Sequence, residues 1–491
     1  SVSSSTLMGH SGEGFISGIA VFNYNVGAIF VIIFVSLFFL PFYIKSGIYT
    51  IPEYLGRRFD NRSRKYFSFI TIIGNVFLDA GAALYTGALI LKIIFPEIDM
   101  MWIIIGMALM AGTYTIIGGL SSAINADMIQ SIILIAGSVL LSIFCFNSVA
   151  GWENFVEHFH DGVWLNLIRP NSDTTVPWFS IFLSIPILGF YFWGNNQVIV
   201  QRVMSAKTVN EGRLGFLFVA FLYVFTLFIF IAPGMVGRMI DLFGVGDTLP
   251  NEIIDGNTLR AQYGIDTNEV YPRLILKLLP VGLIGVMIAC MVSALTSTLS
   301  ATLSSVSTLF TMDFYKSWRP ESSPRHLVRV GQWTSFITLV VAVLWAPLIG
   351  KFASLVAYYQ EFSSYLAPPI VGTFLVGLFW KGSTRNGAFA GLMSGLAMSA
   401  LIMTYKFGFG GVVPFHFLLW VPILLILSVL VNIIVSKCDR NKETDVETYT
   451  WNKSVWQDDT RELKTVPWYK NFRYISIALI IIALLEYWWF F

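Results

Sequence analysis

Apolar runs about 20 residues long recur along nearly the whole chain, as in Val31 to Leu40, Ile132 to Phe146 and Ile475 to Leu485 with their flanks. That is the length a helix needs to cross the hydrocarbon core of a bilayer. Lipid offers backbone N–H and C=O groups no partner, so a bundle of spanning helices is the economical fold for such a chain. Charge content agrees: 12% of the 491 residues are charged and 56% are hydrophobic, against roughly a quarter charged in an ordinary soluble domain. The net charge of +2 gives no reason to expect a nucleic-acid partner. Cys145, Cys290 and Cys438 are far apart and lack metal or redox spacing. Two read as helix-packing residues and the third as a cytosolic thiol.

Hydropathy and its interruptions predict a partial helix at residues 1–10. Full spans follow near 17–44, 66–95, 100–119, 123–149, 178–204, 211–240, 274–312, 326–350, 355–380, 384–406, 412–436 and 472–491. Alternate loops differ in charge. One set carries Lys45, Arg57, Arg58, Arg62, Arg64 and Lys65, then Arg202, Lys207 and Arg213, then Lys316, Arg319, Arg325 and Arg329, then Lys381 and Arg385, and then the basic residues from Lys437 to Lys470. By the positive-inside rule these loops face the cytoplasm, which puts the C-terminus outside a multi-pass protein of the cell membrane. A missed span would invert the alternation downstream, and it does not invert. The polar stretch from Asp439 to Lys470 is short, without an obvious core, and reads as a cytoplasmic linker.

Ionisable groups at membrane depth are costly and mark functional sites by default; here they are Asp79, Asp127 and Glu361. Lys92, Arg238 and Glu486 sit near span ends, where snorkelling accounts for them. The most informative helix is the one from about Arg273 to Met312. Its hydroxyls at Ser293, Ser297, Ser300 and Ser304 recur at three- and four-residue steps and form a stripe on one face. Hydroxyl and carbonyl oxygens suit a hard cation such as sodium, but small residues also serve close helix packing, and spacing alone does not separate the two. Two spans read as broken: Trp193 to Arg202, with a glycine followed by three consecutive side-chain amides, and the N-terminal Ser1 to Gly14. Discontinuous helices at matching positions in two halves are the best sequence pointer to a transporter site.

Five segments, Gly47 to Phe59, Tyr114 to Gln130, Trp193 to Arg202, Thr308 to Lys316 and Val376 to Phe389, stand in the order and spacing of the solute:sodium symporters. The chain resembles that family, and within it the sodium/glucose cotransporter branch, over essentially its whole length. The resemblance implies an all-α membrane protein with the LeuT-like five-plus-five inverted-repeat bundle and flanking helices. It divides the chain into a transport core at 1–380, two accessory helices at 381–436, a linker at 437–471 and a last span at 472–491. It also implies that one leading helix and the first half of core helix one precede residue 1.

Carried over position by position, the family's sodium site matches the hydroxyls of Ser297 and Thr298 and the carbonyls of Ala294 and Val2. Asp127 and Ser300 match a second sodium site or the exit path, but Ala301 stands where that second site has a serine. The solute positions match Ser1, Thr6, Asn25, Asp79, Asn196, Tyr223 and Gln360, with Tyr191, Phe192 and Trp193 as the inner gate. Gln360 alone keeps the sugar-type identity, and Asn25, Tyr223 and Asp79 replace a glutamate, a lysine and an amide. Asp79 fits a cationic or polyhydroxy group; pairing with a neighbouring helix suits it as well.

The function implied is sodium-coupled symport of a small polar solute, a sugar, sugar derivative or polyol, by alternating access. An amino acid or monocarboxylate symporter and a transporter-derived sensor are the alternatives. An enzyme is not expected, because the five histidines fall mostly in or near loops without ligand spacing. Sodium and the solute are the expected partners, in a lipid bilayer.

Overall fold

A computed structural model of the chain describes residues 4–48, 50–160, 162–173, 175–204, 206–246, 249–250, 252–352, 354–411, 415–439, 449–451, 453–463 and 466–490. The side chains at 45, 46, 114, 116–127, 407, 453–455, 458 and 462 lie outside that description. Among the described residues the fold is helical, as a lipid solvent demands, with one isolated extended bridge between Arg169 and Pro177. Ten described helices are long and apolar enough to cross a membrane, eleven if one bent pair counts as a span.

Length and composition undercount the crossings, because two stretches double back. The first comprises α1 (Ser4–Ser17), a 3₁₀ turn (Gly18–Val21) and α2 (Phe22–Phe38). On one straight helix residues 10 and 25 would lie about 22 Å apart. His10 Nε2 and Asn25 Oδ1 are 2.8 Å apart, so the chain reverses at the turn. Gly18 has φ +65°, and a Cβ there would lie 2.3 Å from the Trp164 carbonyl oxygen, so only glycine fits. The segment around Trp164 clamps this reversal. The Trp164 carbonyl accepts from Ile19 N, Leu167 O from Asn23 Nδ2, and Ser17 O from the buried Arg169 guanidinium.

Next come α3 (Asn61–Gly74), a π-helical turn (Asn75–Ala80), α4 (Gly81–Ile94) and the 49-residue α5 (Met100–Ser148). Gly87 of α4 faces both Met107 and Leu295, while Gln130 Nε2 donates to Ser293 Oγ. Residues 107 and 130 would be about 35 Å apart on a straight helix. Both meet the same short stretch of another helix, so α5 folds back between them. The two expected spans are its two arms, but the break expected near 120–122 is not a loop, since the backbone stays helical through it.

The second half contains α6 (Ile185–Phe190), a π-helical turn (Tyr191–Asn195), α7 (Gln197–Met204), α8 (Val209–Val224), α9 (Ala232–Met239), α10 (Val270–Leu278), α11 (Val281–Leu309), α12 (Pro324–Ile349) and α13 (Leu355–Phe379). The accessory α14 (Arg385–Met403) and α15 (Phe417–Cys438), the linker helix α16 (Lys453–Leu463) and α17 (Phe472–Trp489) complete the chain. With the reversals, the bent α8–α9 span and the short first arm of α5, the described crossings match one partial and twelve complete spans.

Three expectations need correction. The N-terminal partial helix runs to Ser17 and not to 10. The span expected at 274–312 is divided, because Pro280 holds Leu279 in an extended conformation and α11 starts only at Val281. The span at 211–240 bends by 49°. The linker is also more firmly held than its composition suggested. Arg213 forms a buried ion pair with Asp459 at 2.7 Å and donates to Ser36 O, and Trp451 N donates to Leu378 O.

The breaks matter because they bring polar groups to the middle of an apolar bundle. At the basic end, Asp313 is buried and accepts from Arg64, Ser68 and Thr50. The accessory pair packs on small residues: Gly387, Gly391 and Gly395 leave room for Asn432 and Ser436, Ser428 and Pro369.

Candidate functional site

The start of α1 lies against α11. Ser4 is fully buried, and its Oγ donates to the Met291 carbonyl at 2.9 Å. Going deeper along α11, Ala294 and Thr298 follow Met291 at three- and four-residue steps on the same face. Thr298 Oγ1 donates to Ala294 O at 2.9 Å, the back-bond of a hydroxyl to its own helix, so two of the expected ion ligands are neighbours on α11. Ser297 is 8% exposed and Ser300 2%, so neither faces lipid. Ser1 and Val2 lie outside the described residues.

The second arm of α5 covers the other side of the serine stripe. Gln130 donates to Ser293, and Met287 packs where Gly137 lacks a side chain. This antiparallel register carries the backbone of residue 127 to the level of Ser297. The Asp127 side chain is outside the description. Ser293 thus has a packing partner, while Ser297 and Ser300 remain with the ion-site candidates.

A second polar row crosses from α1 to the α8–α9 span. His10 Nδ1 donates to Thr6 O at 2.9 Å, and its Nε2 meets the Asn25 amide. Asn25 Nδ2 donates to Thr226 Oγ1 at 2.6 Å, which in turn donates to Tyr223 O at 2.6 Å. Thr6, Asn25 and Tyr223 were singled out by resemblance, and the structure brings them together. His10 was missed. It sits inside α1, not near a loop, and its only sequence signal is the Thr6, His10, Glu13 spacing, which puts three polar residues on one face.

Aromatic rings run from this row to Tyr359. Tyr223 packs on Trp193 at 5.4 Å, Trp193 on Phe192 at 5.2 Å, and Phe192 on Tyr359 at 6.2 Å between centroids. Asp79 lies in the π turn Asn75–Ala80 and is partly buried. Tyr191, Phe192 and Trp193, the expected gate, lie in the π turn that precedes the helix break. Gln360, next to Tyr359, is half-buried, and its carbonyl accepts from Ser364.

The break itself separates two asparagines. Asn196 is extended (φ −72°, ψ 118°) and its Oδ1 accepts from Val198 N at 2.9 Å, capping α7. Asn195 is completely buried, and neither atom of its side-chain amide has a hydrogen-bond partner among the described residues. Leaving such a group unpaired costs about 1–3 kcal/mol. Sequence reasoning chose Asn196; the residue with free bonding capacity is Asn195.

Two other carboxylates are accounted for by neighbours. Glu361 pairs with Lys406 at the end of α14 and accepts from Tyr365. Glu13 accepts from Ser354, the N-cap of α13. No group of three or more His, Cys, Asp or Glu among the described residues is arranged to hold a metal ion.

A family model described as "SSF: Sodium:solute symporter family" matches residues 1–395. "Solute carrier family 5 member 4" of Rattus norvegicus is 31% identical over 474 aligned positions, covering 89% of this chain and 70% of that protein. "Sodium/glucose cotransporter 1" of Oryctolagus cuniculus is 30% identical over 471, covering 89% and 70%. A sodium/mannose cotransporter of Bos taurus is 32% identical over 407, covering 79% and 68%. Among solved structures, a substrate-bound, outward-open Na+-coupled sialic acid symporter superposes with TM-score 0.72 at 22% identity, covering 90% of this chain and 88% of that one. Mhp1, a nucleobase-cation-symport-1 family transporter in a closed conformation, gives 0.50 at 14%, covering 90% and 92%. The fold is that of these LeuT-type bundles: all-α, membrane-spanning, with two inverted five-helix repeats and flanking helices.

Proposed function

The chain belongs to the sodium:solute symporter family, and from that premise we propose that it carries a sugar, sugar derivative or polyol inward with sodium by alternating access. Sodium-coupled movement of a solute, and not catalysis, is the activity of such a chain. The observation that carries the sodium site is the Ser4 to Met291 hydrogen bond. It fixes the start of α1 one to two turns from Ala294, Ser297 and Thr298. A sodium ion gripped there by hydroxyl and main-chain oxygens ties α1 to α11 and orders the solute groups on the next turns of α1, Thr6 and His10. The solute then lies among Thr6, Asn25, Asp79, Asn195, Tyr223 and Gln360, above the rings of Tyr191, Phe192 and Trp193.

Ala301 removes one ligand from the second site, so one ion per cycle is our reading. Asp127 and Ser300 then line its exit. A tenfold sodium gradient supplies about 1.4 kcal/mol and a 100 mV potential about 2.3 kcal/mol per charge. Together they sustain accumulation of roughly several hundredfold. The membrane orientation follows the basic loops, with the C-terminus outside and the core at 1–380 as the moving part.

Proteoliposomes loaded with potassium and diluted into sodium test this reading. Labelled glucose, galactose, mannose, inositol, sialic acid and proline are offered in turn. Uptake of a sugar or polyol that rises with the sodium gradient and with an inside-negative potential supports it. Sodium-driven uptake of proline alone, or of none of these, rules out the solute class; binding without transport identifies a sensor.

A further inference from the structure

We propose that His10 is a proton-binding site: the polar row from Thr6 to Tyr223 is complete only when the His10 ring carries a proton on both nitrogens. The site goes beyond the sodium and solute reading above and stands on the hydrogen bonds of the row alone.

The row has four contacts. His10 Nδ1 lies 2.9 Å from Thr6 O and its Nε2 2.8 Å from the Asn25 amide. The other end of that amide lies 2.6 Å from Thr226 Oγ1, which lies 2.6 Å from Tyr223 O. Each contact needs one proton between its heavy atoms. Both ends of the row are main-chain carbonyls, which only accept. A neutral imidazole brings one proton, the Asn25 amide donates from its NH2 end only, and the Thr226 hydroxyl brings one. Three protons cannot fill four contacts.

Turning the Asn25 amide over does not mend the count. With its oxygen toward His10, both ring nitrogens must donate, and the ring is an imidazolium. With its NH2 toward His10, its oxygen takes the Thr226 proton, and two oxygens 2.6 Å apart, Thr226 Oγ1 and Tyr223 O, face each other with no hydrogen between them. Moving the single ring proton to Nε2 sets a lone pair against Thr6 O instead. The imidazolium satisfies all four contacts with Asn25 Oδ1 toward His10 and Nδ2 toward Thr226.

A charge at membrane depth is costly, and here it is met by oxygen acceptors on a ring that is only partly buried. Among the described residues no carboxylate pairs with the ring. The charged groups on the elements packed against α1 are committed elsewhere: Glu13 to Ser354, Arg238 to Phe15 O, Glu269 to Arg273, Lys277 to Ile240 O, Glu361 to Lys406 and Lys92 to Pro96 O. Helices α2 and α11 carry no charged residue. Tyrosines ionise only at about pH 10, far above the range of an imidazole. The proton fixes the direction of the Asn25 amide, and with it which atom is left for a neighbour on each side. Thr6, Asn25 and Tyr223 are positions assigned to the solute, so proton and solute affinities are linked; that link, unlike the site itself, rests on the solute reading.

The full chain, labelled with nitrogen-15 at histidine and reconstituted in liposomes, is titrated by solid-state NMR from about pH 5 to about pH 8, where imidazoles change charge. His10→Leu identifies the His10 signals among the five histidines. Both His10 nitrogens should carry protons at the acid end, and one should be lost in a single step as the pH rises. Thr226→Val removes the hydroxyl that demands the fourth proton. A neutral ring then completes the shortened row, and the second His10 proton should bind about tenfold more weakly. A ring with one proton throughout, or a step that Thr226→Val leaves unmoved, overturns the proposal. If His10→Leu does not fold, His10 is the ring whose signals change in Thr226→Val, and no change in any ring overturns the proposal as well. The titration needs no solute, so a failed uptake screen sinks the solute reading and leaves this test intact.

Discussion

Asn195 and Asn196, consecutive at the break between α6 and α7, have opposite hydrogen-bonding fates. Asn196 closes the N-terminus of α7 through Val198 N, and Asn195 keeps a buried amide without a partner among the described residues. One secures the break and the other keeps its bonding capacity free among the described residues.

Replacing them should therefore have opposite effects. Asn196→Ala removes a cap and should lower stability by about 1 kcal/mol, with solute affinity little changed. Asn195→Leu removes an unsatisfied group and should leave the melting temperature unchanged or higher while uptake falls about tenfold or more. Melting and uptake measured on both variants decide it; parallel losses in the two would refute the division.

Ser297→Ala combined with Thr298→Ala should abolish both sodium-stimulated uptake and the rise in melting temperature with sodium, because two oxygens of the α11 site are lost. The protein should still fold, since Thr298 bonds only within its own helix. Uptake that still follows the sodium gradient would place the ion elsewhere.

Glu361 and Lys406 form a pair that is partly open to solvent. Lys406→Met leaves the carboxylate without its cation and should cost about 1–3 kcal/mol, discounted for screening. Adding Glu361→Gln should recover most of that. A double-mutant cycle on melting checks it, and uptake should persist in the double variant, because neither residue is assigned to the solute.

The clamp over the α1–α2 reversal supplies a pH dependence. Burial raises the affinity of Asp173 for its proton, but hydrogen bonds from Thr175 and Val176 and the Arg169 guanidinium outweigh it and hold the carboxyl below its usual range. A depressed folded-state value means that its contribution is fully present above the ordinary carboxylate range, near pH 4. It is lost as pH falls through the lower folded-state value. Asp173→Asn should thus melt earlier than wild type at pH 7, with the gap closing toward pH 3. A gap independent of pH would refute the charge as its cause.

Gly234 lets α9 approach α1 so closely that a Cβ would lie 1.9 Å from Ser11 O, whereas Gly215 has nothing within 4 Å. Gly234→Ala should cost at least about 1–3 kcal/mol. Gly215→Ala, in the middle of α8, should be neutral or slightly stabilising. The difference between their melting temperatures is the measurement.

Much of the architecture was legible from residues alone. The spans, their alternating basic loops and the interruption at Trp193 to Arg202 are local properties, set by how each segment partitions between water and lipid. The same local logic misplaced the end of α1 and passed over Pro280. It also expected a loop where α5 turns back as helix, because a reversal enforced by contacts with α4 and α11 leaves no breaker signature of its own.

Site membership divided along the same line. Hydroxyl spacing and resemblance pointed to Ala294, Ser297 and Thr298, but not to the Ser4 bond that fixes α1 beside them. Glu361 and Lys406 show no pairing in sequence, since they are 45 positions apart. The sequence by itself determined that this protein lives in a bilayer and where its helices break, because hydropathy and backbone propensity act over a few turns. Only the tertiary structure decided which polar groups are spent on each other and which, like the Asn195 amide, keep their bonding capacity among the described residues, because hydrogen bonds between distant segments form only once packing has brought them within 3 Å.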